Sequence, residues 1–164
     1  MASKPPTSLD FRQALSHFAT GVTVVTAERA PGRVHGMTAN AFSAVSLQPM
    51  LILVCVKEDA QMLPLINRGK RFGINILKEN QQAISEYFAQ TEEDPLTEQR
   101  LGIRFAQTPG GIPVLEDTLV QLGCNVVASH ISGDHTIFLG EVESANIFSG
   151  EPLLYFSRQY HQLR

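Results

Sequence analysis

The chain has 164 residues, 43% of them hydrophobic and 18% charged, with a formal net charge of -3. That length suits a single domain, residues 1–164, burying roughly 70% of its unfolded surface, and the composition excludes a disordered chain. A slightly acidic chain with no basic stripe is a poor nucleic-acid partner, and its longest apolar run, Met50 to Val56, is far too short to span a bilayer.

Met1 to Asp10 has one lysine and no apolar core, unlike a signal or transit peptide, so the expected location is the cytoplasm. Phe11, Ala14, Leu15, Phe18 and Ala19 then recur at helical spacing, with Ser8 as a cap, Asp10 in the first turn and Gly21 beyond the end. Val22 to Ala27 is rich in β-branched residues and reads as a strand, and Ala30-Pro31-Gly32 as a turn. Val34 to Ala41 is extended but polar and glycine-containing. Met50 to Val56 is apolar without alternation, the pattern of a strand covered on both sides. Asp59 is placed to cap a short helix with Met62, Leu65 and Ile66 on one face, and Phe72 to Leu77 alternates as another strand.

Gln81 to Phe88 reads as a helix with Ile84, Tyr87 and Phe88 on its apolar side, whereas Thr91 to Gly102 is acidic and polar and reads as an exposed excursion. Val120 to Ala128 alternates as a long strand, Ser132-Gly133-Asp134 is a turn signal, and Ile137 to Glu143 completes a hairpin. Many short strands with few helices between them point to an antiparallel barrel or sandwich.

Familiar chemical signatures are missing. The chain has no P-loop, no GxGxxG, no CxxC, no HExxH and no GxSxG. His130 and His135 flank the hairpin turn beside Asp134, a spacing that strand pairing gives without a metal, so no metal site is assigned. The two cysteines, Cys55 and Cys124, sit in apolar strands and read as buried free thiols in a reducing compartment. The most informative stretch runs from His35 to Ser46, HGMTANAFSAVS, where small residues and hydroxyls crowd beside an apolar strand. Such a surface suits close approach to a flat, polar-edged ligand; it equally describes a loop rich in small residues.

Read together, FRQALSHFATGVTVVT, GRVHGMTANAFSAVSLQP, FGINIL, GDHTIFLGEVE and PLLYFSRQYHQL resemble, in order and over nearly the whole chain, the flavin reductase-like, FMN-binding split-barrel family. Its members include the reductase components of two-component monooxygenases. The resemblance implies a mainly β fold with short helices, an antiparallel Greek-key split β-barrel of the FMN-binding type. It implies a homodimer that moves hydride from NADH or NADPH to FMN or FAD, and a larger monooxygenase that receives the reduced flavin. A non-enzymatic flavin-binding electron carrier of the same fold is the alternative.

The same resemblance implies the site. Thr38, Ala39, Asn40, Ser43, Val45 and Ser46 line the flavin through backbone groups and hydroxyls. Cys55, Val56 and Lys57 lie along the ring edge and ribityl chain, and Phe72 and Asn75 approach the flavin or its tail. His135 sits by the nicotinamide, and Arg158 and Tyr160 close the site. Where the family carries hydroxyl residues for the flavin phosphate, this chain has Lys57-Glu58-Asp59-Ala60-Gln61, so only Lys57, Gln61 and nearby N–H groups serve a phosphate. No catalytic acid or base is expected, because hydride transfer belongs to the two cofactors.

Overall fold

A computed structural model describes residues 4–163. In chain order the elements are α1 (Ser8–Ser16), β1 (Thr20–Gly21), β2 (Thr23–Ala30), β3 (Arg33–Ala39), β4 (Phe42–Leu47), β5 (Met50–Lys57), α2 (Met62–Gly69) and β6 (Arg71–Ile76). There follow α3 (Gln82–Phe88), α4 (Pro95–Leu101), β7 (Phe105–Gln107), β8 (Pro113–Leu115), β9 (Val120–Ser132), β10 (His135–Ile147), β11 (Leu154–Phe156) and β12 (Gln159–His161). The fold is therefore mainly β with short helices, as expected.

Seven strands form one antiparallel sheet in the order β3-β2-β6-β9-β10-β5-β4. Its edge strands, β3 and β4, are consecutive in the chain and joined only by Asn40 and Ala41. At about 3.8 Å per residue, that link forces the edges together at one corner and curls the sheet into a barrel. The edges make no pairing with each other, so the barrel is split, and α2 bridges the split by packing on β2, β3, β5 and β6. The interior is filled by Val25, Val54, Val56, Phe72, Ile74 and Phe138 from the strands and Met62 and Ile66 from α2. A second core lies outside the barrel, where Val22, Val24, Leu77, Tyr87, Phe88, Leu115 and Leu153 pack together.

The odd composition of β3 has a packing reason. A Cβ at Gly36 would collide with the Phe88 ring, which α3 lays flat on the strand. Two expected caps move. Thr7, not Ser8, caps α1, in a capping box with Asp10. Asp59 does not cap α2; its carboxylate takes the Lys57 ammonium at 2.7 Å instead. The excursion after α3 contains a helix, α4, in which Asp94 accepts from the Leu96 and Thr97 N–H groups, Pro95 leads, and Gly102 ends the helix at φ +66°. The Tyr87 hydroxyl fastens this segment by accepting from the Asp94 N–H at 2.9 Å and donating to Glu98 at 3.0 Å. Burial, then the Glu98 carboxylate, pushes that phenol up to about 12.

Candidate functional site

The corner where the barrel edges meet is also where a cavity of about 680 Å³ opens. Its walls are Asn40, Ala41, Phe42 and Ser43 from the corner, Leu53 and Cys55 from β5, Thr20, Thr23 and Ile76 beneath, and Leu15 of α1 with Phe18 just past its end above. The volume lies in the range of about 300–1,000 Å³ occupied by small-molecule sites. Apolar surface dominates, with the Asn40 amide and the Ser43 hydroxyl at the edge. Among the described residues Asn40 makes one weak bond, Nδ2 to Thr20 Oγ1 at 3.4 Å, and its amide oxygen is unengaged.

The pleat of the sheet assembles further residues on this side. Along β5, Ile52, Val54 and Val56 point into the core, so Leu53, Cys55 and Lys57 point outward, with Lys57 about 7 Å beyond Cys55. His135 pairs with Lys57 across the ladder and shares its face. A bulge at Val45 inserts one residue, so that Ser43 opposite Leu53 and Ser46 opposite Leu51 stay on the outer face. Ser43, Ser46, Cys55, Lys57 and His135, scattered over 93 positions, thus line one strip of surface. His135 is half-buried, with Nδ1 2.8 Å from Asp134 Oδ1. That imidazole holds the Asp134 carboxyl below its ordinary range. Burial raises the Cys55 thiol, so it meets the cavity as a neutral group.

A second, smaller cavity of about 180 Å³ lies on the other side of Asn40, walled by Val22, Thr38, Ala39, Ser85, Ala89, Tyr155 and Tyr160. Here the Thr38 hydroxyl donates to the Ser85 carbonyl at 2.7 Å, so it faces α3 and not the larger cavity. The remaining expected residues go elsewhere. Val56 and Phe72 are fully buried in the barrel core. Asn75 is fully buried beneath β8, with its amide donating to Val24 O and Thr26 Oγ1 and accepting from the Leu115 N–H. Arg158 is exposed in the tight turn between β11 and β12. Gln61 joins a separate polar cluster: Arg29 donates to its Oε1, its Nε2 donates to Thr91 O at 2.9 Å, and Arg29 and His35 both meet Glu93.

The chain matches the family described as flavin reductase like domain over residues 15–164. It belongs to that family. An NADH-dependent flavin reductase of Rhodococcus sp is 42% identical over 96% of this chain and 87% of its own length. The reductase component of 4-hydroxyphenylacetate 3-monooxygenase from Thermus thermophilus is 36% identical, covering 93% of this chain and 95% of that protein. The NADH:FAD oxidoreductase of Streptomyces globisporus, solved with NAD and FAD fragments, is 31% identical and superposes with a TM-score of 0.88 over 100% of this chain and 97% of that one.

In this flavin reductase-like chain, the larger cavity fits a flavin ring on its own chemistry. Its largely apolar walls would take the ring faces, and the Asn40 amide and Ser43 hydroxyl would be placed for a polar edge. Several wall residues carry no signal in the sequence. Thr20, Thr23, Leu53 and Ile76 reach the cavity only because the sheet closes, and Leu15 and Phe18 read simply as a helix face. That face is not buried in the barrel: Leu15 is 57% and Phe18 74% exposed.

Proposed function

We propose that this flavin reductase transfers hydride from NADH to FMN or FAD and releases reduced flavin to a monooxygenase. The observation that carries this reading is the open slot at the barrel corner, flanked by Asn40 and Ser43, in a chain alike over nearly its whole length to an NADH-dependent flavin reductase. Hydride passes from C4 of the nicotinamide to N5 of the flavin, chemistry that belongs to the two rings. The protein's part is to hold the rings in contact and keep water out. The backbone from Thr38 to Ser43 borders the flavin, Cys55 lies along its edge, and Lys57 and His135 extend the strip toward the phosphate and the nicotinamide. Steady-state NADH oxidation with FMN, FAD and riboflavin in turn tests this. Turnover that requires added or bound flavin is the expected result. Bound flavin with no NADH consumption would favour an electron carrier.

The phosphate end gives a graded expectation. Lys57 is exposed and already paired with Asp59, whose carboxyl the ammonium lowers. Lys57→Ala should raise the KM for FMN no more than about five-fold, the scale of an exposed ion pair, and leave riboflavin unchanged. Asp59→Asn should lower the KM for FMN, because it frees the ammonium. Equal changes for FMN and riboflavin would move Lys57 away from the phosphate.

His135 supports the nicotinamide in this reading through one hydrogen bond or ring contact. His135→Ala should raise the KM for NADH up to about tenfold with little change in the KM for flavin. A loss of thermal stability at constant KM would reduce His135 to a hairpin support.

The chain is one domain in this reading, since β1 near its start pairs with β11 near its end. Two copies associate through the apolar side formed by Phe11 and Leu15 of α1 and Phe18 just beyond its end, all three exposed. Light scattering should return twice the chain mass. Two free cysteines, one half-buried and one buried, fit the reducing cytoplasm. Among the described residues no helix is long and apolar enough to cross a membrane.

A further inference from the structure

We propose that Ser85 is a positioning residue for flavin reduction, locking the Thr38–Asn40 strand end and the C-terminal hairpin to one helix. The inference rests on the flavin reading of the barrel corner. Ser85 lies in α3, is fully buried, and touches both segments. Its carbonyl accepts the Thr38 hydroxyl at 2.7 Å, and its own hydroxyl meets the Tyr160 hydroxyl at 2.9 Å. These contacts join parts of the chain 47 and 75 positions away from Ser85.

The join is placed where it counts. Thr38, Ser85 and Tyr160 wall the small cavity, and Asn40 separates that cavity from the larger one. Beyond Ala39, which pairs with Thr23 and accepts its hydroxyl at 2.6 Å, the strand leaves the ladder, so Asn40 follows a strand end that the Thr38–Ser85 bond helps to hold. The hairpin carrying Tyr160 is also tied to the body by pairing with β1, by the Ser157 N–H donating to Ser16 O at 2.8 Å, and by packing of Tyr155 and Tyr160 on the second core. Losing either partner of this hydroxyl pair removes the direct tie between the hairpin and α3 and loosens the strand end that α3 holds. Ser85 itself lines only the small cavity and does not reach the larger one.

The test is a double-mutant cycle of Ser85→Ala and Tyr160→Phe, with KM for FMN, kcat at saturating FMN and melting temperature measured for each. Ser85→Ala should raise the KM for FMN by about three- to ten-fold, the effect of one net hydrogen bond, and hold kcat within about two-fold. Tyr160→Phe should raise the KM similarly, and the double variant should be no worse than the poorer single, because one bond is lost in each case. Additive KM effects, or a lower melting temperature with an unchanged KM, would overturn the role. If Ser85→Ala does not fold, Tyr160→Phe decides by the same KM criterion. A wild-type enzyme without flavin-dependent NADH oxidation would remove the underlying reading along with the role; normal wild-type turnover with unmoved KM values removes the role alone.

Discussion

Phe72→Ala is expected to lower the unfolding free energy by about 3–5 kcal/mol, the cost of removing a buried aromatic ring and leaving a cavity. Phe72 is fully buried at the centre of the barrel. Its ring tip reaches β10 at Gly140, where a Cβ would sit 2.7 Å from Phe72 Cζ, and its strand pairs it with Cys124. The bare glycine backbone and the ring are therefore fitted to each other, and neighbouring strands cannot collapse into the space the ring vacates. For a chain of this length the melting temperature should fall by roughly 6–20 °C. Urea unfolding gives the free energy, and the KM for FMN, measured well below the transition, should stay within about two-fold of wild type. A protein that keeps its stability but loses flavin would place the ring in contact with ligand.

Asn75→Leu should cost about 3 kcal/mol although the two side chains are close in size. The Asn75 amide is fully buried and completely used. It donates to Val24 O at 2.8 Å and Thr26 Oγ1 at 3.1 Å, and it accepts from the Leu115 N–H at 2.7 Å. It is the polar rivet between β2, β6 and β8. Leucine leaves the Leu115 N–H buried without a partner, and an orphaned donor costs about 1–3 kcal/mol by itself. Hydrogen exchange gives a local readout: the Leu115 amide should lose protection before the β9–β10 ladder does. Unchanged protection at Leu115, with a raised KM for flavin, would return Asn75 to the ligand side.

Both residues show what alternation in a sequence can and cannot say. Phe72, Ile74 and Ile76 against Gly73, Asn75 and Leu77 announce a strand with two different faces. They do not say that β8 will cover the polar face, which turns Asn75 from a plausible ligand contact into an interior one. At β4 the alternation misleads, because the bulge at Val45 shifts the period by one and keeps Ser43 and Ser46 on one side. In the excursion after α3 the signal was present: Asp94 followed by Pro95, with Gly102 seven residues on, marks a capped helix that the acidic composition obscures.

By itself the sequence determined that this is a mainly β chain, where six of the seven strands of the main sheet and the 133–134 turn fall, and, through ordered resemblance, its family. Those properties are local: side-chain period, turn chemistry and short motifs are written in neighbouring residues. The cavity is not local. It exists because Asn40 and Ala41 are too short a link to leave the edges of a seven-stranded sheet apart, and closure brings Thr20, Ser43, Cys55 and Ile76 to one slot. Only that closure decides that Lys57 and His135, 78 positions apart, share the outer face with Cys55, and that Thr38 turns its hydroxyl to α3. The reason is topological: pairing register fixes which face each side chain takes, and register is set by partners far along the chain.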